Sequence, residues 1–279
     1  MKQTFLPPSV RPACLLALGL TLGSSLGLAA APTNAPANPA TTNGPAKSRF
    51  IVEDAGTGTG SSKDDAEAKA AELSKQADDW MNKGNYTEAV NTLEKAVKLA
   101  PDNEELHFNL AFSYGRLGRT RDAIAQYRET IRVLPEYAEA HNNLGNLLAR
   151  NGDLGGAVEH FQAAIKSQPE NSSAHNNLGT ALIRIGKPTE AVAQFEEAIR
   201  LRADYAEAWQ NLGLARLNQK QVSAAVEALD TALRLNPRLE IARKALTQIR
   251  ERARAASAAA AAGQKPAPGV SAPPASAPR

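Results

Sequence analysis

Apolar and small residues recur along the middle of the chain at helical spacing, and the same pattern returns every 34 residues. The segment from Ala140 to Gly152 is closely repeated by the segment from Ala174 to Gly186. Within each copy a leucine is followed by glycine, and asparagines occupy the positions just before it. Self-similarity at a period of this size predicts a solenoid of stacked helix pairs.

Glycine and proline mark the boundaries of the repeating units. Glycine adopts most easily the left-handed backbone that often ends a helix. Proline cannot continue a helix and restricts the residue before it. Each unit is therefore predicted to be a helix, a tight turn, a second helix and a proline. The turn residues are Gly84, Gly118, Gly152 and Gly186, with Lys220 in the fifth slot; the prolines are Pro101, Pro135, Pro169 and Pro237, with Ala203 in the missing slot.

The predicted packing positions keep the same register. Small residues let the paired helices approach closely, and large residues four positions after an alanine fill the space to the next unit. The first helices contribute Leu110, Leu144, Leu178 and Leu212, followed by Ala111, Gly145, Gly179 and Gly213. The second helices contribute Ala89, Ala123, Ala157, Ala191 and Ala225, and then Leu93, Tyr127, Phe161, Phe195 and Leu229.

The order of His or Trp, then Leu-Gly, Ala, Phe and Pro resembles the tetratricopeptide repeat (TPR). The resemblance implies an all-α TPR solenoid, a right-handed superhelix of about five helix-turn-helix repeats plus a C-terminal capping helix. The first unit is degenerate, which suits a terminal cap. The predicted TPR domain spans 63–239, with repeats at 70–103, 104–137, 138–171, 172–205 and 206–239 and a capping helix at 240–262.

The two ends of the chain differ from the repeats in composition. Residues 1–31 are predicted to be a signal peptide, because Lys2 and Arg11 precede an apolar stretch and a zone of small residues. The alternative is an uncleaved N-terminal membrane anchor. Residues 32–62 are predicted to be a disordered Pro/Ala/Gly linker, and residues 263–279 a disordered Ala/Pro tail. Within the linker, Phe50–Val52 either packs on the first repeat or docks into the protein's own groove.

Two rows of polar residues are expected on the concave wall that the first helices form. Members of the two rows lie seven residues apart, close to two helical turns, so both rows face the same way. Asparagine can pair with the N–H and C=O groups of an extended peptide, and arginine suits carboxylates. The asparagine row is Asn109, Asn143, Asn177 and Asn211, the arginine row is Arg116, Arg150 and Arg184, and Asn142, Asn146 and Asn176 are further peptide-binding candidates.

These units also resemble those in the repeat superhelix of the O-linked N-acetylglucosamine transferase, where an asparagine row contacts substrate peptides. The transferase activity is not expected here, because the repeats and the end segments account for the whole printed sequence. The simpler alternative is that each asparagine bonds a neighbouring helix and that the arginines form a solvated face. The positions of the carboxylate clamp that chaperone-binding TPR proteins use carry Glu105, Glu139, Ser173 and Glu207, so that type of partner is disfavoured.

No catalytic constellation, cofactor motif or metal motif is found in the sequence. His107, His141 and His175 fall in register, but first helices about 8–10 Å apart hold them too far from one another to share one zinc ion. A packing role is therefore predicted for these three histidines. The only cysteine, Cys14, lies in the apolar segment near the N-terminus. The chain is accordingly predicted not to be an enzyme.

Charge is unevenly distributed, although the formal net charge is only +3. Residues 53–105 hold 13 acidic residues against six lysines, and residues 234–254 hold seven basic residues against two acidic ones. Nothing resembles a nucleic-acid motif, and no stable membrane span is expected once the signal is cleaved.

The sequence thus predicts a protein-interaction scaffold, exported to the periplasm or cell envelope of a bacterium, that binds an extended peptide segment of a protein partner, with acidic segments among the candidates. The alternatives are a structural protein that self-associates through its charged end faces, and an accessory subunit of an envelope enzyme, secretion or assembly complex. The sequence does not determine the oligomeric state or the partner.

Overall fold

The computed structural model describes residues 62–263, and every regular element within this range is an α-helix. Consecutive helices pack against each other along the whole range. The helices are α1 (Ser62–Asn82), α2 (Tyr86–Leu99), α3 (Glu104–Arg116), α4 (Thr120–Val133), α5 (Ala138–Arg150), α6 (Leu154–Ser167), α7 (Ser172–Arg184), α8 (Pro188–Leu201), α9 (Ala206–Asn218), α10 (Val222–Leu235) and α11 (Glu240–Gly263).

The helices form five pairs, in which α1, α3, α5, α7 and α9 are the first helices and the even-numbered helices are the second. From α3 to α10 every first helix has 13 residues and every second helix has 14. The first helix of the first pair is longer, with 21 residues, and begins eight residues before residue 70. The all-α solenoid that the repeat pattern predicts is confirmed.

The turn inside each pair has the left-handed backbone that the glycine pattern predicts. The residue at this position has φ between 64° at Lys220 and 91° at Gly152. The next residue then donates its N–H to a carbonyl five residues back, as from Asn85 to Trp80 and from Gln221 to Arg216, at 2.9 Å in both cases. This bond satisfies a carbonyl at the end of the first helix and reverses the chain.

Glycine permits a close approach of the two helices within three of the units. A Cβ atom added at Gly145 or Gly179 would lie 2.7 or 2.6 Å from the Cε1 of Phe161 or Phe195, respectively. In the fifth unit a Cβ on Gly213 would lie 2.7 Å from Leu229 Cγ. Both phenylalanines are 1% exposed. The aromatic ring of the second helix therefore packs directly on the backbone of the first helix.

A continuous apolar core runs between the helices of the middle units, from Phe108 in α3 to Ala228 in α10. The last helix closes this core, because Ala242 and Leu246 of α11 are buried in a cluster with Leu229. The side-chain Oε1 of Gln210 accepts the N–H of Ala242 at 3.2 Å, which satisfies one of the free donors at the start of α11. From residue 251 to residue 260 every side chain of α11 is exposed.

Several sequence predictions lie outside the described residues. These are the signal peptide at 1–31, the linker at 32–62 apart from Ser62, the Phe50–Val52 segment, and the tail at 263–279 apart from Gly263. Among the helices of residues 62–263, none has the length and apolar character that crossing a bilayer requires.

Lys220 provides a test of the turn geometry, because a left-handed backbone strains any residue that has a Cβ atom. We expect Lys220→Gly to raise the free energy of unfolding by up to about 1 kcal/mol. We expect Gly186→Ala to lower it by about 1–2 kcal/mol, although the added methyl group meets no atom within 4 Å. Urea unfolding followed by circular dichroism measures both changes; a loss of stability in Lys220→Gly would contradict this explanation.

Candidate peptide-binding surface

The first helices lie side by side and form one wall of the solenoid. Among the odd-numbered helices α5 contacts α7, and α7 contacts α9. Corresponding residues of neighbouring units therefore lie in rows across this wall. The asparagine row and the arginine row predicted from the sequence both belong to these helices.

Two members of the asparagine row connect neighbouring first helices. The Nδ2 of Asn177 in α7 donates to Oδ1 of Asn142 in α5 at 3.0 Å. The Nδ2 of Asn211 in α9 donates in the same way to Oδ1 of Asn176 in α7 at 2.9 Å. The asparagine of one unit thus bonds the preceding asparagine position of the unit before it. These are the bonds expected from the simpler alternative, in which each asparagine bonds a neighbouring helix and not a peptide.

The other two members of the row lie where the chain lacks this acceptor. Phe108 occupies the position in α3 that Asn142 occupies in α5, so no amide oxygen is available to Asn143. The Nδ2 of Asn143 instead donates to the hydroxyl of Tyr127 at 3.3 Å. Asn143 is 4% exposed, and Asn109 is completely buried. These two side chains contribute to the interior of their units.

The exposure of each side chain narrows the predicted peptide-binding surface. Asn109, Asn142, Asn143 and Asn176 are at most 6% exposed, so they offer almost no surface to a peptide in this conformation. Asn146, Asn177 and Asn211 are partly exposed. The accessible part of the predicted peptide-binding surface is therefore smaller than the sequence analysis indicates, because four of its asparagines are buried by packing.

The arginine row lies at the C-terminal ends of the first helices. Arg116 is exposed, and its guanidinium carbon lies 4.8 Å from the centre of the Tyr86 ring, which supports the side chain by a cation–π contact. Arg184 donates from Nη1 to the backbone oxygen of Ala149 at 2.8 Å, at the C-terminal end of α5. Arg150 is exposed and has no hydrogen bond or ion pair with any residue in the range 62–263.

Acidic residues occupy the opposite end of α3, α5 and α9, whereas α7 has Ser173 at that position. Glu139 precedes Arg150 by 11 residues, which corresponds to about 16 Å along a helix. Glu105 and Glu207 hold the same position in α3 and α9. The wall therefore has an acidic edge and a basic edge, and this charge separation was not predicted from the sequence.

Asp78 of α1 interacts electrostatically with Glu105, and its environment changes its titration. Burial, together with the neighbouring charges of Glu105 and Asp79, raises the pKa of the Asp78 carboxyl from 3.8 to about 6. Because the pKa is higher in the folded state than in the unfolded state, the folded state holds the proton more tightly. The fold therefore loses stability as the pH rises from about 4 to about 6.

The histidines in register have packing roles, as the sequence predicts. The Nε2 atoms of His107, His141 and His175 lie 2.9–3.0 Å from the backbone oxygens of Pro101, Pro135 and Pro169, respectively. Trp209 makes the equivalent bond from Nε1 to the oxygen of Ala203 at 2.9 Å. In every unit from the second to the fifth, a ring N–H thus donates a hydrogen bond to a backbone carbonyl near the end of the preceding unit.

Within residues 62–263 no group of three or more histidine, cysteine, aspartate or glutamate side chains is arranged to hold a metal ion. A cavity of about 340 Å³ lies between α8, α9 and α10, and its lining includes Trp209, Leu212 and Ala228. Its rim includes Glu196, Glu227 and Arg216, and Glu196 and Arg216 form an ion pair at 2.7 Å. The cavity lining contains no cysteine, serine or histidine side chain.

Comparison with protein families agrees with this architecture. A tetratricopeptide repeat model matches residues 111–174 and 176–240, and a second TPR repeat model matches residues 78–118. The chain belongs to the tetratricopeptide repeat family. No curated protein sequence matches this TPR chain significantly.

Solved TPR structures share the fold at low sequence identity. A crystal structure of MamA aligns with 25% identity and a TM-score of 0.55, covering 58% of this chain and 94% of MamA. YrrB, described as a TPR protein with an unusual peptide-binding site, aligns with 19% identity and a TM-score of 0.57, covering 67% of this chain and 98% of YrrB. PilF from Pseudomonas aeruginosa aligns with 21% identity and a TM-score of 0.56, covering 63% of this chain and 79% of PilF.

The repeat family and these structural relatives identify the general function. TPR domains are helical scaffolds for protein–protein interaction, and this chain is such a scaffold. The peptide-binding residues themselves are not tested by these comparisons and stay a prediction.

The contribution of an interhelical asparagine bond to stability can be measured by comparing variants of Asn177, which makes such a bond, and of the partly exposed Asn146. Replacing Asn177 by Ala leaves the buried Oδ1 of Asn142 without its donor, so we expect the free energy of unfolding to fall by about 1–3 kcal/mol. Asn146→Ala is the matched control, because it makes the same helix-favouring change at a partly exposed site in α5. Equal unfolding free energies for the two variants would show that the interhelical bond contributes nothing.

Proposed function

We propose that this TPR chain is an exported, non-enzymatic scaffold of the bacterial cell envelope that binds an extended, acidic segment of a protein partner along its first helices. The observation that supports this most directly is the exposed pair Arg116 and Arg150. Both side chains lie at the same position of neighbouring first helices, and neither forms an ion pair within residues 62–263. A guanidinium group in this situation is suited to bind a carboxylate through two parallel hydrogen bonds.

Asparagines on the same wall supply contacts for the peptide backbone. Asn177 and Asn211 each use one amide hydrogen for the neighbouring helix, which leaves the second hydrogen and Oδ1 available. An extended peptide presents one N–H and one C=O per residue. Neighbouring first helices are expected to lie about 10 Å apart, and an extended peptide rises about 3.3 Å per residue. A peptide that crosses the wall would therefore contact a new first helix at roughly every third residue. Such contacts depend little on the peptide's side chains.

The two charged edges of the wall orient the proposed ligand. Acidic side chains of the peptide are attracted to the edge that carries Arg116 and Arg150 and repelled from the edge that carries Glu139. An extended chain that crosses successive units therefore places its carboxylates on one side. The preference for acidic segments follows from this asymmetry, since the formal net charge of the chain is only +3.

Export is supported by the sequence of residues 1–31, in which Lys2 and Arg11 precede an apolar stretch and small residues. Cleavage of that segment would release the scaffold into the periplasm, and retention would leave it anchored at its N-terminus. In both cases the TPR domain would meet partners in the cell envelope. The partner can belong to an enzyme, secretion or assembly complex, in which case this chain is an accessory subunit.

A second function is favoured by the charges of the terminal helices. Exposed residues of α1 include Asp64, Asp65, Glu67 and Glu72, whereas those of α11 include Arg243, Lys244, Arg252 and Arg254. Because α1 and α11 are the first and last helices of the described stack, the acidic helix of one copy could meet the basic helix of another. This arrangement would produce head-to-tail self-association that weakens with salt.

The arginine pair is tested with acidic peptides selected from a random library against the exported chain. We expect the double variant Arg116→Ala/Arg150→Ala to bind these peptides roughly 2- to 30-fold more weakly, because two exposed ion pairs are lost. Fluorescence anisotropy with a labelled peptide measures the affinity. The effect should diminish as the salt concentration rises.

The matched control is Arg121→Ala/Arg128→Ala, which removes two exposed arginines from the second helix α4. This control has the same net charge as the test variant, so a general electrostatic effect would weaken binding equally in both. Equal weakening would contradict the groove proposal. Failure to select any peptide, together with salt-sensitive self-association in sedimentation, would favour the end-face function instead.

A further inference from the structure

One histidine outside the repeat register makes an unusual contact. In the second and fourth units the Nδ1 atoms of His107 and His175 lie 2.7 and 2.8 Å from the side chains of Gln126 and Gln194. In the third unit His160 replaces this glutamine. The Nδ1 of His160 lies 2.9 Å from the Nδ1 of His141, so that two imidazole rings face each other between α5 and α6.

The other nitrogen of His141 determines which atom faces His160. The Nε2 of His141 lies 2.9 Å from the backbone oxygen of Pro135, and a carbonyl oxygen can only accept a hydrogen bond. Neutral His141 therefore carries its proton on Nε2 and directs the lone pair of Nδ1 at His160. Donation of one ring N–H to a backbone carbonyl is also the usual arrangement around a histidine that binds a metal ion.

We propose that His141 and His160 form a two-histidine site for a divalent transition-metal ion of the zinc, nickel or copper type. Imidazole nitrogen is a good ligand for all three ions. Both Nδ1 atoms would bind the ion, which would then connect the two helices of the third unit. Water completes the coordination, since no third protein ligand is arranged around the pair within residues 62–263.

The distances require only a small movement. Zn–N bonds of about 2.0–2.1 Å in tetrahedral geometry separate two nitrogens by about 3.3–3.4 Å. The two Nδ1 atoms lie 2.9 Å apart, so the rings must separate by about half an ångström and rotate. His141 is 7% exposed and fixed by the Pro135 carbonyl, whereas His160 is only partly buried. His160 is therefore the ring that moves.

The proton that the two rings share must leave the space between them. In the neutral pair this proton is on Nδ1 of His160, because Nδ1 of His141 is the acceptor. When the ion binds, His160 changes to the tautomer with its proton on Nε2, so the net number of protons need not change. The ion replaces the hydrogen as the bridge between the two nitrogens.

The surroundings of His160 favour its neutral form. Burial lowers the pKa of His160, and the adjacent His141 and Arg128 lower it further, whereas Glu159 and Asp153 oppose this effect. A neutral ring is needed for metal binding, because a protonated imidazole has no free lone pair.

His160→Gln is the decisive variant, because glutamine is the residue that the second and fourth units have at this position. The variant keeps a hydrogen-bond partner for His141 and removes one metal ligand. Isothermal titration of tag-free protein with ZnCl2, near neutral pH, should give one ion per wild-type chain and none for the variant. Zinc about tenfold above its Kd should also raise the wild-type Tm by roughly 3–6 °C.

The converse variant is Gln194→His, which should create a second pair with His175 and raise the stoichiometry to two ions per chain. The full chain contains four histidines and one cysteine, so few other ligands compete. Binding of zinc to His160→Gln with unchanged affinity would overturn the proposal, as would the absence of heat and of a Tm change in the wild type at millimolar zinc. Peptide binding through Arg116 and Arg150 is a separate property that neither result affects.

Discussion

The close approach of the two helices within each unit is the constraint on which the rest of the structure depends. A Cβ atom at Gly145 or Gly179 would lie 2.7 or 2.6 Å from a ring atom of Phe161 or Phe195, so the second helix packs directly on the backbone of the first. This contact and the left-handed turn define a rigid two-helix unit. Because one unit cannot bury its own apolar face, stacking follows, and stacking brings the first helices together as one wall.

The wall uses asparagine for two purposes that compete for the same side chains. Asn142 and Asn176 accept hydrogen bonds from Asn177 and Asn211 and are buried by the stacking that these bonds accompany. Recognition is left to the groups that stacking does not use, namely the second amide hydrogens, the amide oxygens and the arginines at the C-terminal edge. Packing thus uses part of the polar surface that could bind a peptide. The groups that remain accessible include charged arginines, which favour an acidic ligand.

Most of the fold could be predicted from the sequence because each unit obeys the same local rules. The turn at Gly152 depends only on neighbouring backbone, and the contact of Gly145 with Phe161 lies within one unit. A bond from the asparagine row to a neighbouring helix was one of the two alternatives from the sequence, but the partner of Asn177, Asn142, could not be predicted, because it depends on the offset between neighbouring units. The contact of His141 with His160 was not predicted, although the sequence carries a signal for it: His160 occupies a position that is glutamine in the second and fourth units, on the helix that faces His141.

Binding of a protein partner by the wall of first helices is the proposal on which the function rests. It is tested most directly by photo-crosslinking in cells, with a photoreactive residue placed at Asn146 in α5 or, as control, at exposed Gln162 in α6. We expect one discrete protein to be captured from position 146 and not from position 162. Capture of the same protein with equal yield from position 162, or from that position alone, would contradict it.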